Sequence, residues 1–160
     1  MEQTMQMKNG HNYRKFSLML GLSFIAMYGI MYLNTYAFDH VYFSMTRLYM
    51  ACLGISIMGV IMLLVMKGMY TNRKKNAVIL IGCLLVFSVA LSLLRMQRPV
   101  ISDVLYMKGM IPHHSIAILT SERAAIKDPE VRKLADGIIA AQKKEIEEMK
   151  EMIKRLENEK

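Results

Sequence analysis

Three long runs of uncharged, mostly apolar residues constrain the fold of this chain more than any other feature of its sequence. They cover Phe16–Phe38, Leu48–Met66 and Ala77–Leu94, which are 23, 19 and 18 residues long. An α-helix rises about 1.5 Å per residue, so each run is long enough to cross the hydrocarbon core of a bilayer. None of them shows the polar face that an amphipathic helix of a soluble protein repeats. The sequence therefore predicts three transmembrane helices.

The basic residues predict how these helices are oriented. Three lie before the first run and four between the second and third runs, while the loop between the first two runs holds Arg47 against Asp39. Because cytoplasmic loops are enriched in Lys and Arg, we expect a cytoplasmic N-terminus and an extracytoplasmic tail, in the inner membrane of a bacterium. The net charge of +8 is then mainly a topology signal, and no nucleic-acid partner is expected.

This organisation predicts three parts. They are a cytoplasmic segment (1–15), a three-helix transmembrane domain (16–98) and an extracytoplasmic domain (99–160), which we call the tail. Cys52 and Cys83 fall inside predicted spans and are interpreted as packing residues. The spans hold no ionisable residue, so the bilayer is expected to be their partner and anchoring their role, rather than ion transport. Small residues in the second and third spans permit close helix contact: Gly54, Ser56, Gly59, Gly82 and Ser88.

The tail is predicted to form two helices. Pro99 and Ser102 mark the start of the first, which is predicted to run to about Ile126, with Ser102 as its N-cap. Asp128 is predicted to cap the second, which starts at Pro129 and continues to near the C-terminus. Because only two or three residues connect them, the helices must fold back antiparallel. The predicted fold class is all-α, with three transmembrane helices followed by a helical hairpin.

A lone helical hairpin has too little core to be stable. It therefore needs either a second copy or packing against the chain's own membrane part. We expect a homodimer or a higher homo-oligomer, in which two hairpins complete a four-helix bundle. The second helix is predicted to be amphipathic, with an apolar stripe at three- or four-residue spacing and a Lys/Glu-rich face: Val131, Ala135, Ile138, Gln142, Ile146, Met149, Ile153 and Leu156 form the stripe.

The first tail helix carries a cluster of methionine and histidine. Met110 precedes His113 and His114 by three and four residues, so the three side chains project toward a common region. Met107 lies one turn earlier. Counted outward from the connection, Met149 of the second helix lies level with the two methionines, whereas the histidines lie level with residues 142–143. We expect Gln142 or Glu145 to reach an imidazole as a supporting group.

Thioether and imidazole ligands together suit copper, above all Cu(I). Zinc would prefer thiolate or carboxylate, and the tail has no cysteine. These ligands therefore favour a copper site at the extracytoplasmic face, which would buffer copper or pass it on. The alternative is a non-catalytic membrane scaffold or assembly module, in which the same histidines and methionines are core packing residues.

No enzymatic activity is predicted for the tail. A di-iron centre of the ferritin type needs Glu three residues before each histidine, where this chain has Met110 and Ile111. Ser115 follows His114 directly, so it faces another side of the helix and has no partner arrangement for a nucleophile.

The same residues carry a resemblance to a known family. The pattern resembles the family called domain of unknown function 305 over residues 103 to about 153, and the whole chain resembles members of that family that carry three N-terminal spans. The matching segments are Met110-Ile111-Pro112-His113-His114, Asp128-Pro129-Glu130-Val131, and Gln142, Glu145-Ile146 and Met149.

The resemblance implies a ferritin-like helical domain outside the cytoplasm, and some relatives are periplasmic copper-binding proteins linked to copper tolerance. It implies Met110, His113, His114 and Met149 as ligands, with Met107 as a fifth candidate. It also suggests a copper-handling protein as a partner.

This chain departs from the family pattern at one place. Many members have Met five or six residues after the second histidine, where this chain has Leu119 and Thr120. The loop between the first two spans is expected on the same side of the membrane as the tail, and it offers Asp39, His40 and Met45 as accessory donors. The alternative for His40 is a local hydrogen bond.

Overall fold

The protein is all-helical over residues 2–97 and 100–159, which its computed structural model describes. The predicted all-α class is therefore confirmed. Pro99 and the predicted domain boundary at 98/99 lie outside the described residues. The elements are α1 (Glu2–Ile30), a single 3₁₀ turn (Phe38–His40), α2 (Met45–Val65), α3 (Arg73–Met96), α4 (Asp103–Arg123) and α5 (Pro129–Asn158).

Two of these helices, α2 and α3, are long and apolar enough to cross a membrane, as judged by length and composition over the described residues. Each bound agrees within four residues with the second and third predicted spans. Asn72 caps α3, and its side chain accepts a hydrogen bond from the Lys75 amide.

The first predicted span does not form one helix, so its predicted bounds are wrong. Prediction placed a single helix over Phe16–Phe38, but α1 ends at Ile30. The apolar part of α1 is then 15 residues long, or about 22 Å, against about 30 Å for a hydrocarbon core. The chain directly beyond α1 is no longer α-helical, and the Tyr36 amide donates to Ser115 Oγ at 2.7 Å instead of to a backbone carbonyl one turn earlier.

Contacts divide the chain into two compact units. One unit holds α1, α3 and α2 from Arg47 onward, and the other holds residues 31–46 together with α4 and α5. The sequence-based division into 16–98 and 99–160 differs from this over residues 31–46. Residues 31–46, predicted as the end of the first span and the loop after it, therefore pack with α4 and α5.

The first unit is held by an aromatic and aliphatic cluster and by one close helix contact. Tyr13 Oη donates to Asn76 Oδ1 at 2.6 Å. A Cβ atom added at Gly59 would lie 2.9 Å from Cys83 Sγ, so α2 and α3 meet where a larger side chain would collide. The buried cluster consists of Tyr13, Phe16, Met62, Leu63 and Tyr70.

In the second unit, local capping sets the ends of both helices. Ser102 Oγ accepts a hydrogen bond from the Leu105 amide, and Asp128 Oδ1 accepts from the Glu130 and Val131 amides at 2.9 and 3.0 Å. The N-caps predicted at Ser102 and Asp128 are therefore confirmed. α4 ends at Arg123 rather than near Ile126, so the connection is the five residues 124–128 and not two or three.

α4 and α5 pack antiparallel around an apolar core. Their contacts run in opposite directions along the chain: Lys108 pairs with Glu157 at 2.6 Å, and the Arg132 guanidinium donates to the Ser121 carbonyl at 3.0 Å. Four buried isoleucines and two buried methionines form the core between the helices. They are Met107, Ile111 and Ile118 of α4 and Ile146, Met149 and Ile153 of α5.

The apolar stripe predicted for α5 is buried mainly in its second half, and Ala135 is its buried residue in the first half. Ile146, Met149 and Ile153 are buried, whereas Val131 is 51% exposed and Ile138 is 36% exposed. The last turn of α4 has the sequence Ser-Glu-Arg (121–123), which gives the first turns of α5 a polar neighbour instead of an apolar one. The start of α5 therefore presents Val131 and Ile138 to solvent in the single chain.

Truncation of the hairpin core tests this packing. Ile118 is fully buried, so Ile118→Ala is expected to lower the free energy of unfolding by about 2–5 kcal/mol and Ile118→Val by about 0.5–1.5 kcal/mol. Denaturant unfolding of the full-length chain in detergent, followed by circular dichroism, measures both. Equal stabilities for wild type and Ile118→Ala would contradict the described core.

Candidate metal site

Four of the five predicted ligands line one open groove between α4 and α5. They are Met107, Met110, His114 and Met149, and the groove has a volume of about 650 Å³. Sequence reasoning missed Met152, which also lines it and lies one turn beyond Met149. The remaining polar lining consists of Asp103, Tyr106, Glu145, Glu148 and Arg155.

The thioether groups of this groove belong to the core of the hairpin. Met107 and Met149 are buried in the isoleucine cluster, and Met110 packs against it while remaining half-buried. Met152 is more exposed. Buried side chains have few accessible rotamers in a close-packed interior. The hairpin packing therefore keeps two sulfur donors beside the groove without any bound ion.

His114 is oriented by its backbone. Its Nδ1 atom lies 3.0 Å from the Met110 carbonyl oxygen, one turn earlier in α4. A carbonyl oxygen can only accept a hydrogen bond, so Nδ1 donates its hydrogen there, and Nε2 is the ring nitrogen that could bind a metal after losing its own hydrogen. This is the supporting arrangement that metal-binding histidines commonly have.

The side chain of Glu145 is hydrogen-bonded to Nε2, the second ring nitrogen of His114. Its Oε2 atom lies 2.7 Å from His114 Nε2 and also accepts a hydrogen bond from the side-chain amide of Gln142 at 3.4 Å. The expectation that one of these residues reaches an imidazole is confirmed for Glu145. The partner of His114 is residue 145 rather than residues 142–143. Because the Glu145 carboxylate accepts a hydrogen bond from Nε2, metal binding there requires Glu145 to move aside and Nε2 to lose its hydrogen.

His113 does not join the other predicted ligands. Its side chain is exposed and does not line the groove, and its ring centroid lies 6.2 Å from that of His114 with the rings inclined at 65°. Successive residues of an α-helix point about 100° apart, so two adjacent histidines cannot share one face. Within the described part of the chain, no three His, Cys, Asp or Glu side chains gather as a metal-binding group.

The opposite side of α4 holds residues 31–46. Ser115 is fully buried, and its Oγ accepts the Tyr36 amide and lies 3.0 Å from His40 Nδ1. Burial lowers the pKa of His40, which favours a neutral ring that accepts the Ser115 hydroxyl hydrogen. The prediction that Ser115 faces away from the His/Met cluster is confirmed.

An ion pair adds to this contact. Asp39 Oδ2 lies 2.6 Å from Lys150 Nζ, which also contacts Glu147 at 3.0 Å. The hydrogen bond from Lys150 lowers the pKa of Asp39. Asp39, His40 and Met45, considered above as accessory donors, do not line the Met/His groove. The first two instead fasten residues 31–46 to α4 and α5.

Comparison with known proteins places this architecture in a family. The family model described as Domain of unknown function (DUF305) matches residues 91–160. An uncharacterized protein of Acanthamoeba polyphaga mimivirus is 32% identical over 139 residues, which cover 85% of this chain and 89% of the relative. The chain belongs to the DUF305 family. Likeness between this DUF305 chain and the viral relative extends beyond the hairpin into the N-terminal helices, and no solved structure matches it.

Acidification is expected to destabilise this DUF305 chain through His40. An ordinary histidine titrates near pH 6.5, at about its pKa in the unfolded chain, and burial lowers the pKa in the folded chain. The unfolded chain therefore takes up this proton first, so the stability is complete above about pH 6.5 and decreases as the pH falls below it. We expect the Tm of wild type to fall more steeply between about pH 7.5 and 5.5 than that of His40→Gln.

The matched control for this experiment is His113→Gln, because His113 is an exposed histidine in the same unit. This variant should keep the pH dependence of the wild type. Thermal melts of the full-length chain in detergent measure the slopes. A His40→Gln slope as steep as that of wild type would show that His40 is not buried in the neutral form.

Proposed function

We propose that this DUF305 chain binds copper, as Cu(I), in the groove between α4 and α5 and buffers it or passes it on without catalysis. The observation that carries the proposal is the set of donors at one groove. Three predicted methionines, Met107, Met110 and Met149, share it with His114, whose Nδ1 is already held by a carbonyl oxygen.

The donor set fits a soft ion better than a hard one. Thioether sulfur selects Cu(I), and imidazole also suits copper. The carboxylates at the groove, Asp103, Glu145 and Glu148, are not gathered with other hard donors into a metal-binding group. Copper is the cargo in this proposal, and Met107, Met110, His114 and Met149 would hold it. Met152 adds a sulfur at the site, and His113 would receive or release copper from outside the groove.

The cellular setting of the proposal rests on the apolar helices and the charge pattern. α2 and α3 would anchor the chain in the inner membrane of a bacterium, with α1 contributing a third, partial span. The basic residues before α1 and between α2 and α3 favour a cytoplasmic N-terminus. The hairpin would then meet copper outside the cytoplasm and exchange it with a copper-handling protein.

The burial and hydrogen bonds of the same side chains favour a second function. Met107 and Met149 are core residues, and the polar groups of His114 are already paired within the chain. In a hairpin with these contacts, the polar groups of His114 have hydrogen-bond partners without a metal. On this alternative the chain is a membrane scaffold, and its methionines and histidines contribute packing alone.

Substitutions of the two adjacent histidines distinguish copper binding from the scaffold alternative. We expect His114→Ala to weaken Cu(I) binding roughly 10-fold or more, since it removes a nitrogen ligand, and His113→Ala to weaken it far less. Competition titration of the full-length chain against a Cu(I) chelator measures both affinities. The scaffold alternative instead predicts equal, weak affinities and a loss of thermal stability in His114→Ala alone.

A matched pair of methionines tests the sulfur ligands. Met110→Leu keeps the apolar volume and removes the thioether, so we expect weaker Cu(I) binding with stability changed by less than about 1.5 kcal/mol. Met96→Leu, at the end of α3 and outside the groove, is the control and should bind like wild type. Unchanged affinity in Met110→Leu would remove sulfur from the proposed site.

A further inference from the structure

The first half of α5 carries an apolar patch that α4 does not cover. Leu134 is 65% exposed, Val131 is 51% exposed and Ile138 is 36% exposed. A shallow groove runs beside them, lined by Leu134, Gly137, Ile138 and Ala141 and bordered by Glu130, Lys133 and Gln142. We call this surface the α5 patch. Exposing three large apolar side chains on one face of a helix is unfavourable unless something covers them.

The charges at the two ends of the α5 patch are complementary to each other. Glu130 lies seven residues before Gly137, and Lys144 lies seven residues after it. At about 1.5 Å per residue, each charge is about 10 Å from Gly137 along the helix. Lys144 is mostly solvent-exposed, with only a 3.6 Å contact to Glu148. A second α5 running antiparallel about Gly137 would therefore set each Glu130 opposite the Lys144 of the other copy.

The apolar residues match under the same symmetry. Leu134 would lie level with residue 140 of the other copy, next to Ala141, so that a large side chain meets small ones. Gly137 would lie on the two-fold axis, and a Cβ atom there meets nothing within 4 Å in the single chain. Two helices can approach closely at such a position. An interface in which both copies use one self-complementary surface is the usual form of a symmetric dimer.

We propose that the α5 patch binds a second copy of this chain, forming an antiparallel α5–α5 contact centred on Gly137. Since α5 begins at Pro129, the two helices overlap from residue 129 to residue 145. Most of the Met/His groove lies beyond this overlap, so the dimer leaves it open. This dimer accounts for the exposed half of the α5 stripe, and it does not depend on metal binding.

A lipid surface fits the α5 patch less well than a second copy does. Helices that lie on membranes carry Lys and Arg around their apolar face. The α5 patch is bordered by acidic and basic residues together, with Glu130 and Asp136 beside Lys133. Mixed charges that are complementary under two-fold rotation favour pairing with the same surface.

A charge exchange tests the proposed register. In Lys144→Glu, each Glu130 would face a Glu of the other copy, so we expect dimerisation of the full-length chain in detergent to weaken about tenfold. The double variant Glu130→Lys/Lys144→Glu restores opposite charges and should recover most of the affinity. Lys154→Glu, an exposed site of α5 outside the overlap, should dimerise like wild type. Sedimentation equilibrium measures the four dissociation constants, that of wild type and those of the three variants.

A cysteine at the two-fold axis gives a second, independent readout. Gly137→Cys should form an inter-chain disulfide on oxidation in membranes, whereas Lys154→Cys should not, and the chain's own Cys52 and Cys83 are replaced by Ala in both. A folded wild type that stays monomeric overturns the proposal. So does a double charge variant that remains as weak as Lys144→Glu, or equal cross-linking at residues 137 and 154.

Discussion

The packing of α4 against α5 is the contact on which the rest of the second unit depends. Ile111 and Ile118 of α4 and Ile146 of α5 are almost completely shielded from solvent, and each such side chain contributes about 1.5–3 kcal/mol by its burial. These residues also fix the rotation of each helix about its own axis. Because α4 cannot rotate without exposing them, the positions of Met110 and His114 beside the groove follow from the core and not from a bound ion.

The neighbouring residues His114 and Ser115 of α4 face different sides of the helix. His114 faces the groove and Glu145, while Ser115 is buried against Tyr36 and His40. The helix is therefore held on one side by α5 and on the other by residues 31–46, whose ion pair with Lys150 reaches α5 as well. Helices held on two sides are suited to carry ligands, because the donors of a metal site must keep their positions whether or not the metal is bound.

Local signals in the sequence predicted much of this structure. The helix starts at Ser102 and Asp128 follow from side-chain capping, and two apolar runs follow from length alone. The non-helical course of the chain around Tyr36 was not predictable, because the partner of the Tyr36 amide is Ser115, which lies far away in the sequence. For the site, helical spacing brought Met110 and His114 together but did not tell which of the two adjacent histidines faces the groove. Counting residues outward from the connection also did not identify Glu145 as the partner of His114, because long side chains reach across the helix contact.

The central claim is that the groove binds copper through sulfur and nitrogen together. The most direct test is X-ray absorption at the copper edge on the full-length chain, loaded with one equivalent of Cu(I) after purification from membranes. The account predicts a shell of sulfur scatterers with one imidazole, and loss of the imidazole in His114→Ala but not in His113→Ala. Copper bound only by nitrogen and oxygen, or the same spectrum in both variants, would contradict it.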